Sequence, residues 1–108
     1  MERDLLRAVI DPIILSLVAE RPLHGYQIVK EVNDRSNGVF RFKEGTLYPC
    51  LHRLEAAGWI EGRWEVADTG RTRRYYEITK KGRKVLNEEA GQWKALSTAV
   101  NALLLSHV

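Results

Sequence analysis

Leu5, Leu6, Val9, Ile10, Ile13, Ile14, Leu17 and Val18 fall in adjacent pairs that recur every four residues. That period lays a wide apolar stripe along one side of a first helix. Asp11-Pro12 interrupts it. Proline removes the amide bond back to Ala8, which leaves a kinked continuous helix or one that begins at Asp11 with Pro12 in its first turn; the kinked helix is favoured. Arg21-Pro22 ends this element. Leu23-His24-Gly25-Tyr26 is expected to open a second helix with Ile28, Val29 and Val32 on its inner side, and the turn formers from Asn33 to Gly38 close it. Phe40 and Phe42 alternate with Arg41 and Lys43, the pattern of a short strand or an extended link.

A third helix is predicted over 44–57. Leu47, Leu51 and Leu54 share one face with Cys50 beside them, while Gly45, Pro49, His52, Arg53 and Ala56 share the other. Pro49 is tolerated near the helix start because its clash partner four residues back, Gly45, has no side chain. Gly58 stops the helix. The chain then reads as a strand over 59–66, a turn over 67–72 and a returning strand over 73–78. Thr79 caps a last helix that continues from Lys80 to about Ser106, roughly 40 Å at the usual rise per residue. Helices followed by a basic two-stranded hairpin give a mainly α fold with a small β-hairpin wing, a winged helix-turn-helix over 1–79. A long C-terminal dimerisation helix over 80–108 completes one compact unit.

Composition sharpens this picture in one place. The 108 residues carry a formal charge of only +3, but 71–84 alone hold +6, so the rest of the chain sums to −3. A basic patch on a slightly acidic body attracts a polyanion to one place. The single cysteine, Cys50, allows no intrachain disulfide, and the N-terminal apolar stretch is too interrupted for a membrane span and lacks a signal-peptide cleavage site. A cytoplasmic protein with no membrane partner is expected. His24, His52 and His107 have no metal-ligand spacing, Cys50 has no CxxC partner, and no nucleotide-binding glycine loop occurs. No nucleophile is placed with a base, so an enzyme is not expected, and neither a metal nor a cofactor is called for.

The outward face of the third helix is the recognition candidate. Thr46 and Tyr48 near its N-terminus suit phosphate oxygens, and His52 and Arg53 can address bases or phosphates. Arg71, Arg73 and Arg74 sit at or beside the glycine turn of the hairpin, within reach of a minor groove and its flanking phosphates. Tyr75 or Tyr76 can reach a phosphate, with packing against Trp64 the competing role for one of them. In the last helix Leu86, Glu89, Trp93, Leu96, Val100 and Leu103 step by three and four residues, a heptad seam with one polar member. It is expected to cover itself against a second copy rather than against its own first helix, giving a two-fold dimer, two recognition helices and a palindromic operator on double-stranded DNA. A winged helix that binds protein instead of DNA is the alternative.

Four blocks in order, Pro22-Leu23-His24-Gly25-Tyr26, Gly45-Thr46-Leu47-Tyr48-Pro49, Arg53 to Ile60 and Arg74 to Gly82, resemble the PadR family of transcriptional regulators. The resemblance runs from Leu5 to Leu104 and fits the short subgroup with one C-terminal helix. It implies a dimeric winged-helix repressor, with Tyr26 among the DNA-contacting residues and the C-terminal helix as the dimerisation element. It also implies release from DNA by phenolic acids or flat aromatic molecules. In the drug-binding branch a tryptophan of the C-terminal helix lines a pocket at the dimer centre. Trp93, fourteen residues after Thr79, stands in register with it. Three positions depart from the family pattern. Lys43-Glu44 stands where serine usually caps the recognition helix, Arg71-Thr72 replaces the proline after the wing glycine, and Cys50 replaces an aliphatic residue.

Overall fold

The computed structural model describes residues 3–107, with side chains from Leu6 to His107. Helix α1 spans Arg3–Glu20 and runs unbroken through Pro12. Its stripe is buried as its spacing requires: Ile10, Ile14, Leu17 and Val18 are core residues, joined by Leu15. The side chain of Leu5 lies outside the described residues.

The first departure from expectation follows Pro22. Leu23–His24 is not helical; it is a two-residue strand, β1, and helix α2 begins only at Gly25 and ends at Arg35. Two residues show no periodicity, so the pattern could not reveal them. Pairing with a later strand decides their conformation. Leu23 is 2% exposed, and its extended backbone satisfies its polar groups while that side chain stays in the core. His24 then serves as the N-cap of α2 in a capping box. The Gln27 amide donates to Nδ1 of His24 at 3.3 Å, and the His24 amide donates to the Gln27 side chain at 3.0 Å.

Phe40 to Lys43 takes the extended-link option. Asn33 stands where a strand partner would be, its side chain accepting from the Phe42 amide at 2.7 Å and donating to the Phe42 carbonyl at 3.0 Å. Phe42 is thereby fixed in the core. Helix α3 spans Glu44–Ala56 and buries Leu47, Cys50, Leu51 and Leu54. Its N-cap Lys43 makes no side-chain capping bond.

Strands β2, Ile60–Val66, and β3, Thr72–Ile78, form the wing. They pair antiparallel from Ile60 opposite Ile78 to Val66 opposite Thr72. β1 pairs on the other side of β3, Leu23 opposite Tyr76 and His24 opposite Tyr75, so the wing is the outer part of a three-stranded sheet ordered β1-β3-β2. Thr79 caps helix α4, Lys80–Leu104, accepting from the Gly82 amide at 3.0 Å and donating to the Gly58 carbonyl at 2.7 Å. Gly82 is the residue that permits this junction: a Cβ there would fall 2.0 Å from the Trp59 carbonyl oxygen. Val85 and Leu86 pack on the core, and beyond them α4 leaves it, ending in a short 3-10 turn over Leu105–His107.

Burial, with Arg73 and Arg21 nearby, holds the His24 imidazole below its ordinary value. The unfolded chain therefore binds this proton more readily than the folded one. Stability contributed at this site is fully present above about pH 6.5, the unfolded value, and is lost as pH falls through it until the lower folded value is passed. His24→Ser, which keeps an N-cap oxygen, is expected to flatten the melting-temperature profile between about pH 7 and about pH 5 relative to wild type.

Candidate nucleic-acid interface

The outer arc of α3 is centred on Gly45, Pro49, His52 and Ala56, all exposed. Lys43 leaves the first amides of the helix without a side-chain partner, so the positive end of α3 is open to solvent apart from the acidic side chain of Glu44. The four recognition candidates do not form one cluster; they flank this arc on two edges. Thr46 and Arg53 lie on the edge facing α1, lining a wide depression with Leu6, Arg7 and Asp11, and Arg53 is ion-paired to Asp11. Tyr48 and His52 lie on the edge facing the wing, in a groove of about 340 Å3 shared with His24, Trp64, Arg73 and Arg74. Among the described residues no carboxylate lines that groove.

The three wing arginines also differ. Arg71 is exposed at the hairpin tip and Arg73 is half-buried on the groove wall. Arg74 is held: its guanidinium donates to Glu55 at 2.7 Å and lies 5.7 Å from the ring centre of Trp64 and 5.8 Å from that of Tyr76. It crosses so close over Gly62 that a Cβ there would meet its Nε at 2.5 Å. Glu55 also accepts from the Gly62 amide at 3.0 Å. One carboxylate near the end of α3 thus grips both strands of the wing. The sequence assigned no role to Glu55, and to Trp64 only that of packing against a wing tyrosine. The signal lay in the hairpin register, which sets Trp64 opposite Arg74, but the link to Glu55 emerges only when helix and sheet pack.

Of the two wing tyrosines, Tyr76 is buried under Arg74, while Tyr75 is half-buried and edge-on to His24 at 5.3 Å. Tyr26 is exposed on α2, its ring 6.3 Å from that of His24. Cys50 is buried, its thiol directed to the Thr46 carbonyl at 3.4 Å, a packing role.

A second candidate surface lies on α4. Trp93, Leu96, Val100 and Leu103 are 54%, 56%, 42% and 77% exposed. Leu86, assigned to the same seam, packs partly on this chain's own core. Together with Trp93 it lines an apolar groove of about 410 Å3 between α1 and α4, whose other wall includes Val9, Pro12, Ile13 and Phe40. Among the described residues no group of three or more His, Cys, Asp or Glu side chains could hold a metal, and no helix is long and apolar enough to cross a membrane.

The model of the family described as "Transcriptional regulator PadR-like family" matches residues 14–88. A transcriptional regulator of Mycobacterium tuberculosis is 38% identical over 98 residues, covering 91% of this chain and 88% of that protein. The crystal structure of a PadR-like transcriptional regulator from Bacillus cereus superposes with a TM-score of 0.85 at 33% identity, over 94% of this chain and 96% of that one. A transcriptional regulator from Clostridium thermocellum follows at 0.84 and 32%, over 95% and 97%.

The Glu55–Arg74 pair is about one-third exposed on both sides, which places it between surface and buried pairs in strength. A double-mutant cycle of Glu55→Gln and Arg74→Gln, read by chemical denaturation, is expected to give a coupling of about 0.5–1 kcal/mol. Additive losses would mean that the helix and wing are not coupled through this pair.

Proposed function

The chain belongs to the PadR-like family of transcriptional regulators, and on that premise we propose that it is a homodimeric repressor that binds a palindromic operator and is released by an aromatic ligand. One observation carries the DNA-binding part. The wing-facing edge of α3 and the basic wall of the wing enclose a groove that no carboxylate lines among the described residues, and α3 itself has no side-chain cap at its N-terminus. That combination suits a duplex edge: the arc through His52 enters the major groove, the open amides of α3 meet phosphate, and the wing reaches the adjoining groove.

Within this reading the candidate residues take different parts. His52 and Tyr48 face the groove directly. Arg71 and Arg73 supply mobile positive charge to phosphates. Thr46 and Arg53 act from the α1 edge, where Arg53 must exchange Asp11 for DNA. Tyr26, exposed on α2, adds a backbone contact. Arg74 acts mainly by keeping the wing at its angle to α3.

The apolar row on α4 supports the dimer. Trp93, Leu96, Val100 and Leu103 are all largely exposed, and a row of that length on one face is matched most simply by its own copy across a two-fold axis. Trp93 then lies where the seam meets the α1–α4 groove, and a flat aromatic ligand stacked on it would alter the angle between the two winged units.

Two measurements test this reading. In fluorescence anisotropy over a salt series, Arg73→Ala is expected to lower affinity for every duplex and to reduce the slope of log affinity on log salt by about 1, the mark of one lost phosphate contact. An unchanged slope would remove Arg73 from the interface. In sedimentation equilibrium, Leu96→Glu with Val100→Glu is expected to convert a dimer to a folded monomer; a dimer that survives both charges places the interface elsewhere.

A further inference from the structure

His24, 8% exposed, is a buried polar side chain on the groove between α3 and the wing. Its Nδ1 accepts from the Gln27 amide, so the proton of the neutral ring resides on Nε2. Nε2 has no hydrogen-bond partner among the described residues. No buried side-chain nitrogen or oxygen among them lacks a partner either. Nε2 is therefore not sealed from solvent, and His24 lines this groove. The imidazole thus accepts for the helix at Nδ1 and keeps an uncommitted donor at Nε2.

The surroundings favour an anion at that donor. The Tyr48 hydroxyl rests against the first residue of α2, where any side chain at Gly25 would meet it at 2.8 Å. Arg73 stands on the same wall, and after burial itself Arg73 and Arg21 add to what disfavours a charge on the ring. The N-terminus of α2 opens at the same place with a neutral cap. Aspartate, a stronger capping residue, would cancel the positive end of the helix where histidine leaves it in force.

We propose that His24 Nε2–H, with the Tyr48 hydroxyl and Arg73, forms a binding site for one backbone phosphate of DNA in each half-site. This rests on the DNA-binding reading above and adds to it a contact from β1, outside both the recognition helix and the wing. Its task is register: a buried donor on a fixed ring sets where the phosphate sits more narrowly than a flexible surface arginine does.

The test uses the full chain and a labelled duplex that it selects from a random pool, with single phosphates replaced in turn by uncharged methylphosphonate. Wild type is expected to lose about tenfold in affinity at one phosphate per half-site. His24→Ser keeps a cap for α2 and is expected to bind the unmodified duplex about tenfold more weakly, with its loss at that phosphate reduced to about threefold. His24→Asp, also capped, is expected to bind more weakly still, because it sets a carboxylate against the phosphate. A thermal melt of each variant checks that α2 is intact. Unchanged affinity in both variants, with the wild-type methylphosphonate profile, would overturn the site. A wild-type chain that selects no duplex even at low salt would overturn the DNA-binding reading itself, and the site with it.

Discussion

The carboxylate of Glu55 is the contact on which the arrangement of this molecule depends. It lies near the C-terminal end of α3 and accepts from the guanidinium of Arg74 on β3 and the amide of Gly62 on β2. The wing is a two-stranded ribbon beyond the reach of β1, and such a ribbon has little stability or fixed direction of its own. Tied to α3 at its base, with Arg74 laid between Trp64 and Tyr76, it holds a definite angle to the helix. The groove that both elements line exists because that angle is set. Gly62 completes the arrangement, since any side chain there would displace the guanidinium.

The same logic explains why the charges of the chain are not equivalent. Arg63, Arg74 and Arg53 are committed to Glu65 and Glu77, Glu55 and Asp11 respectively. Arg71 and Arg73 form no ion pair among the described residues. A sum of charge over the wing therefore overstates what is free to meet a ligand. Histidine 24 adds the opposite case, a neutral group that the sum overlooks.

Much of this was legible in the sequence. The four-residue apolar pairing gave α1 through Pro12, the leucine spacing gave the buried face of α3, and the glycine and threonine signals gave the end of α3 and the start of α4. What escaped was set by tertiary packing. Leu23–His24 is too short for any periodic signal and becomes a strand only because β3 passes beside it. Thr46 and Tyr48, two residues apart, stand about 160° apart around α3, so helical spacing itself separates Thr46 and Arg53 from Tyr48 and His52; the fold adds that α1 borders one edge and the wing the other. The heptad through Leu86 and Leu103 has one period throughout, so it could not reveal that Leu86 packs on the core while Trp93 onward leaves it. Periodicity tells that a face is apolar; only the fold tells what covers it.

In the proposed function, α3 and the braced wing grip duplex DNA as one unit. The most direct test is fluorescence anisotropy of the wild-type chain on labelled DNA from upstream of its own gene, against a scrambled duplex of equal length, over a salt series. Tight binding is expected that weakens steeply with salt and prefers the upstream duplex at every salt concentration. Absence of binding to either duplex at low salt would contradict it.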